Sequence, residues 1–132
     1  MAEITRDIAY TTTNDLVIGV DAKTSNVLPT TATAYKRGDV VVVDGATNVA
    51  THPTTATGYH AIIAQNVSAE QATAHAVAGI EIPVYVGGEF NAFECSVKGT
   101  KLDKAGRLLA RAYATNAGLS LTLKLPAGIE DK

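Results

Sequence analysis

The sequence predicts a mainly β domain with an extended N-terminal arm and, near its end, one α-helix followed by a strand. Three observations carry that prediction. Ile82, Val84 and Val86 alternate with Glu81, Pro83 and Tyr85, the period-two pattern of a strand with one buried face. Val40 to Val43 is an unbroken β-branched run, as expected of a strand covered on both faces. Leu119, Leu121, Leu123 and Leu125 alternate with Ser120, Thr122 and Lys124 and stop at Pro126, which makes this the clearest strand in the chain. Composition agrees: the 46% hydrophobic fraction is rich in Ala and Val, Thr is frequent and only 18% of residues are charged, a small-residue, β-leaning mixture.

At 132 residues the chain fits one folded unit able to bury a modest core without metals or disulfides. Residues 1–30 read as the arm and a leading strand, and residues 31–132 as one β-rich domain. The net charge of -2 gives no electrostatic reason to expect nucleic acid as the main partner. No run approaches the roughly 18 apolar residues that span a bilayer, and acids interrupt the N-terminus where a signal peptide would be apolar. Synthesis in a cytoplasm, with no membrane partner, is the expectation. Cys95 is the single cysteine, so neither a disulfide framework nor a cysteine metal cluster is expected.

Along the chain, Ile4, Ile8 and Tyr10 stand among charges before Thr11-Thr12-Thr13-Asn14, and the apolar run Leu16 to Val20 follows as a short strand. Residues 22–34, rich in Thr, Ser and Ala around Pro29, read as an extended connection or edge segment. Lys36 to Asp39 is a turn into the Val run, which ends in the hairpin-type pair Asp44-Gly45. Residues 48–59 read as a polar loop, and His60 to Val67 as a further strand. Ser68 and Gln71 form a capping-box pattern for a short helix, although a loop excursion fits the Ala-rich stretch 68–79 equally well. After Val86, Gly87-Gly88 supplies the positive φ of a tight reversal, with Phe90 and Phe93 in the returning strand beside the main core. Thr100 and Asp103 form a second capping-box pattern. Leu102, Ala105, Leu109, Ala112 and Tyr113 then share one helical face, Lys101, Lys104, Arg107 and Arg111 another, and Gly118 is the expected C-terminal cap.

Few residues propose chemistry. Arg37-Gly38-Asp39 is the adhesion tripeptide, but the turn explains its glycine and solvation its charges. Asn66-Val67-Ser68 matches a glycosylation acceptor in a chain with no secretory signal. Cys95 with His52 or His60 would supply a nucleophile and a base, yet nothing places them together, and a lone Cys is more often a small buried hydrophobe. His52, His60 and His75 lack metal-site spacing. The basic helical face could meet nucleic acid or an acidic partner such as a neighbouring subunit, but no stacking aromatics are interleaved with it and solvated charge is the commoner explanation. No catalytic, cofactor-binding or metal residue is assigned.

The turn and strand Arg37-Gly38-Asp39-Val40, the Asp44-Gly45 turn, the Ile62-Ile63 strand and Val84-Tyr85-Val86-Gly87-Gly88-Glu89-Phe90-Asn91 together resemble the head decoration (cement) proteins of tailed bacteriophages, the lambda head decoration protein D type. The resemblance spans roughly residues 33–125 in order of elements, and residues 46–80 match nothing diagnostic. It implies a small β-sandwich or barrel-like domain of the β-tulip kind, without enzymatic activity or cofactor. It also implies homotrimers at three-fold positions on the outside of the virion capsid, with the arm laid on the major capsid protein through Ile4, Ile8, Tyr10, Leu16 and Ile18. There the arm would add a strand to a sheet edge and fill pockets with alternate side chains. The competing expectation is a non-enzymatic tail, fibre or surface module that recognises a receptor or glycan through residues 22–34 and 46–60.

Overall fold

A computed structural model describes residues 15–19 and 22–125. Eight strands, two α-helices and one 3₁₀ turn follow one another: β1 (Lys23–Pro29), β2 (Val40–Val43), β3 (Val49–Thr51), β4 (Ala61–Ile63), α1 (Ala69–Ala78), β5 (Ile82–Asn91), the turn Ala92–Glu94, β6 (Ser96–Val97), β7 (Thr100–Lys101), α2 (Lys104–Asn116) and β8 (Leu121–Lys124). The fold is mainly β, as expected.

Five strands close on themselves. The order β1-β3-β2-β4-β5 returns to β1, because β1 pairs with β3 at Leu28 and Pro29 and with β5 along Lys23 to Val27. Closure gives every one of these strands two neighbours, so this part of the sheet has no free edge. Residues 22–34, expected to be an extended connection or edge segment, thus contain the barrel strand Lys23–Pro29, paired on both sides, and residues 49–51 of the expected polar loop are another strand.

The alternation of the strands sorts side chains into two cores. Val41, Ala61, Ile63, Ile82 and Val84 pack in one cluster with Val27, Tyr35 and Ala50. Val40 and Ile62, on the opposite faces of the same strands, join Tyr59, Phe90, Leu121 and Leu123 in the second, which α2 covers with Ala110 and Ala114. Val40 and Val41 are both fully buried. The Val run is thus covered on both faces over its first half, while Val42 and Val43 are partly exposed.

Gly87-Gly88 does not reverse the chain. β5 runs unbroken through both glycines for ten residues. Lys23 faces Gly87 whereas Thr24 faces Tyr85, which leaves Val86 as the extra residue of a bulge. Gly88 has φ +121°, and a Cβ there would lie 2.8 Å from the Ala22 Cα. The positive φ read from the sequence is real, but it bends a continuous strand and admits a neighbouring backbone. At that bend β5 changes partners, from β1 and β4 to the parallel strand β8 at Gly88 to Asn91.

Helix α1 forms with the expected box. The Ser68 side chain accepts from Gln71 N, the Gln71 side chain accepts from Ser68 N, and Gly79 closes the helix in the left-handed region. Helix α2 begins three residues later than its expected box. Its cap is Asp103, which accepts from Gly106 N at 2.7 Å. Thr100 instead starts β7 in a hairpin whose central residues, Lys98 and Gly99, both have positive φ, the geometry of a two-residue turn. At the other end Gly118 N donates to Thr115 O and Leu119 N to Ala114 O, so Gly118 closes the helix just past its cap, Ala117, in a Schellman arrangement.

Candidate functional site

The end of the N-terminal segment is fastened to the distal half of β5. Leu16 is buried in the second core, Val17 bridges Phe90, Ile18 N donates to Glu89 O at 3.1 Å and Asn91 N to Leu16 O at 2.7 Å. Of the residues expected to lie on a capsid, Leu16 is therefore inside this chain's own core, and Ile18 is half-buried at the sheet. Ile4, Ile8 and Tyr10 lie outside the described residues. Over residues 16–18 there is one isolated bridge rather than the expected strand. Close approach depends on glycine, since a Cβ at Gly19 would stand 2.9 Å from the Glu89 Cβ.

The opposite side of that half-strand holds β8, whose far edge is unpaired among the described strands. Its Leu123 carbonyl accepts from Arg111 Nε at 3.2 Å, and Lys124 is ion-paired with Glu89 at 2.9 Å. Between β8 and α2 runs an open groove of about 550 Å³ lined by Leu108, Arg111, Ala112, Thr122 and Lys124. A second, of about 580 Å³, lies on the side of α2 marked by Leu109, against Thr54, Ala56, Val97 and Lys98.

The face that α2 buries is only partly the expected one: Leu102, just before the helix, is buried in the second core and Tyr113 packs against it, but Ala105, Leu109 and Ala112 face outward. The buried residues of the helix itself are Arg107, Ala110 and Ala114, whereas Ala105 and Ala112 are exposed and Tyr113 half-buried. Leu108 and Leu109 are 63% and 44% exposed. Small residues inward let the helix lie close on β8. Arg107 belongs to the core side because its guanidinium donates to Leu102 O at 2.7 Å and sits 4.6 Å from the centre of the Phe93 ring, satisfying its charge at the helix start. The solvated basic face is thus reduced: Arg107 is inside and Arg111 is tied to Leu123, while Lys101 pairs with Glu94 at 2.9 Å and Lys104 is exposed.

The adhesion tripeptide is structural. Asp39 is 1% exposed. Its carboxylate accepts from Ser96 Oγ, from Gly99 N at 2.8 Å and from Lys36 N at 2.9 Å, with His52 Nε2 at 4.0 Å. A Cβ at Gly38 would fall 2.4 Å from Glu94 O, so the turn presses against the 3₁₀ segment. A receptor has no access to that carboxylate.

Cys95 is fully buried, and burial, with Glu94 adding to it, pushes its thiol up to about 12. Such a thiol is not a nucleophile at neutral pH. His60 Nδ1 accepts from Val43 N at 2.9 Å, His52 Nε2 donates to Ala34 O at 2.9 Å, and Asn66 Oδ1 accepts from Arg37 N. Each of these residues is a fastener between segments. Among the described residues no group of three or more His, Cys, Asp or Glu converges to hold a metal ion, and no helix is long and apolar enough to cross a membrane. Of the segments expected to recognise a glycan or receptor, Lys23–Pro29 forms the wall strand β1 and Val49–Thr51 forms β3, and the remaining residues are loop.

Sequence reasoning missed two tyrosine anchors. Tyr59 OH donates to Ala110 O at 2.7 Å from a fully buried ring, and Tyr35 OH donates to Ala50 O at 2.7 Å and accepts from Thr30 N. The available signal was scarcity: large side chains are few, so each tyrosine beside a turn is a candidate anchor. Compared with known proteins, the chain matches no protein-family model and no curated protein.

Proposed function

We propose that this chain is a structural, non-enzymatic decoration protein. It binds the outer surface of an expanded bacteriophage head as trimers at three-fold positions, through contact with the major capsid protein, and stabilises the shell against internal pressure. The observation that carries the reading is the fastening of residues 16–18 to β5. Leu16 sits in the core and the backbone bonds of Ile18 and Asn91 hold the segment down. A pull on residues 1–14, which carry Ile4, Ile8 and Tyr10, is thereby transmitted to the closed barrel. Load transmission of this kind is what a clamp requires. The arm supplies strand-edge hydrogen bonds and apolar anchors to the shell, and repetition across the lattice means that rupture must break several clamps together.

The test is hydrogen exchange on the full chain, free and on expanded heads. Strong protection of residues 1–14 on the particle alone is the expected result. Arm amides that exchange equally fast in both states, with head binding unchanged when residues 1–14 are deleted, would overturn the arm mechanism.

A further inference from the structure

The outward face of α2 carries the stripe that helical periodicity normally marks for burial. Ala105, Leu108, Leu109 and Ala112 stand at i, i+3, i+4 and i+7, and all four are exposed. The stripe rises between the two grooves, with Leu108 on the wall of one and Leu109 on the wall of the other. An apolar surface with this regularity is the mark of an intermolecular contact.

Charge identifies the occupant. Between Arg37 and Lys98 the chain has no Lys or Arg and six carboxylates, of which Asp39 is buried and Glu89 and Glu94 pair with Lys124 and Lys101; from Lys98 to Lys124 it has six cations, Arg107 among them buried, and one carboxylate, Asp103. The charges exposed beside the α2 stripe are Lys98, Lys104 and the capping Asp103, while Lys101 is paired with Glu94, so the rim stays net positive. Helix α1 lies in the anionic segment, and there Val77 and Ile80 are 80% and 52% exposed, flanked by the exposed Glu70 and Glu81. The molecule therefore shows two exposed apolar patches with rims of opposite sign. They belong to different sides, since α1 packs on β1 and α2 on β8. Placing α2 against α2 would bring like charges together, which costs affinity, whereas α2 against the α1 corner matches both charge and apolar surface.

We infer that the α2 stripe of one copy docks on the Val77–Ile80 corner of a second copy, in a head-to-tail contact whose repetition closes a small ring. This deepens the self-association in the proposed function and rests on that part alone. It is tested on free protein without heads, so its failure and a failure of capsid binding are told apart.

The experiment is sedimentation velocity on the full chain, on Leu108→Asp, on Val77→Asp and on an equimolar mixture of the two variants, with circular dichroism to confirm folding. Both positions are more than half exposed, so neither substitution opens a core. The wild type is expected to assemble, and each variant to need about tenfold or more concentration to do so. The mixture is expected to be heavier than either variant alone, because one intact stripe and one intact corner remain to meet. A monomeric wild type, a Val77→Asp variant that assembles like wild type, or a mixture no heavier than its components would each overturn the inference.

Discussion

Replacing Asp39 by Ala removes an acceptor that three donors share. The Ser96 hydroxyl is fully buried with it, while Gly99 N and Lys36 N are part-buried. An orphaned buried donor costs about 1–3 kcal/mol, and hydrogen bonds to a charged acceptor stand near the top of that range. Water reaches the two part-buried amides, so about 1 kcal/mol each is the reasonable share, with about 2 kcal/mol for the Ser96 position. Relief from the desolvation of a buried carboxylate offsets part of the loss. The net is about 3–4 kcal/mol, a large fraction of the roughly 5–15 kcal/mol that stabilises a domain. In urea, with a slope of about 1–3 kcal/mol/M, the midpoint falls by about 2 M and the slope is unchanged. Asp39→Asn loses about half as much, because its oxygen still serves Ser96 and Gly99 while its amide group opposes Lys36 N. A midpoint shift below about 0.5 M for Asp39→Ala would refute the reasoning and return the tripeptide to the surface.

Two further outcomes follow from the same geometry. Gly88→Ala is expected to destabilise by about 2–3 kcal/mol, combining positive φ with a clash against Ala22, whereas Gly58→Ala, at φ +73° in open space, costs only about 1 kcal/mol; thermal melts of the pair separate the backbone term from the steric one. Burial raises the Cys95 thiol from an ordinary value near 9 to about 12. It also raises the Tyr59 hydroxyl, with Cys95 and Tyr113 adding to the shift. Both groups are neutral when protonated, so the unfolded chain releases these protons first. The stability they contribute is fully present below the unfolded thiol's value and is lost as pH climbs toward about 12. Urea midpoints should therefore fall between about pH 9 and about pH 12, less steeply in Cys95→Ala, and an equal fall in that variant would count against the thiol's part.

Local signals survived into the structure where one residue type has one physical use. Ser68 with Gln71 capped α1, Asp44 accepted from Ala46 N and Thr47 N to shape its turn, and the leucine alternation gave β8 a buried Leu121 and Leu123. Apart from the Thr100 box, whose threonine starts a hairpin and leaves Asp103 to cap α2, what failed were inferences that needed the tertiary partner. Gly87-Gly88 correctly announced unusual backbone, but only the approach of Ala22 decides that the strand bends instead of turning back. The apolar stripe of α2 was also legible, and its direction was not, because Arg107 finds Leu102 O and Phe93 only in three dimensions. Barrel closure through β1 was hidden for a similar reason: exposed Lys23 to Asn26 show no alternation, and their strand character comes from pairing with β5.

The central claim is that the chain decorates a shell, and co-sedimentation of the purified protein with undecorated, expanded heads, followed by electron microscopy of the pellet, tests it most directly. Density at the three-fold positions over the shell, reaching a saturating copy number, is the predicted result. Protein left in the supernatant, with heads no more resistant to rupture than before, would contradict it.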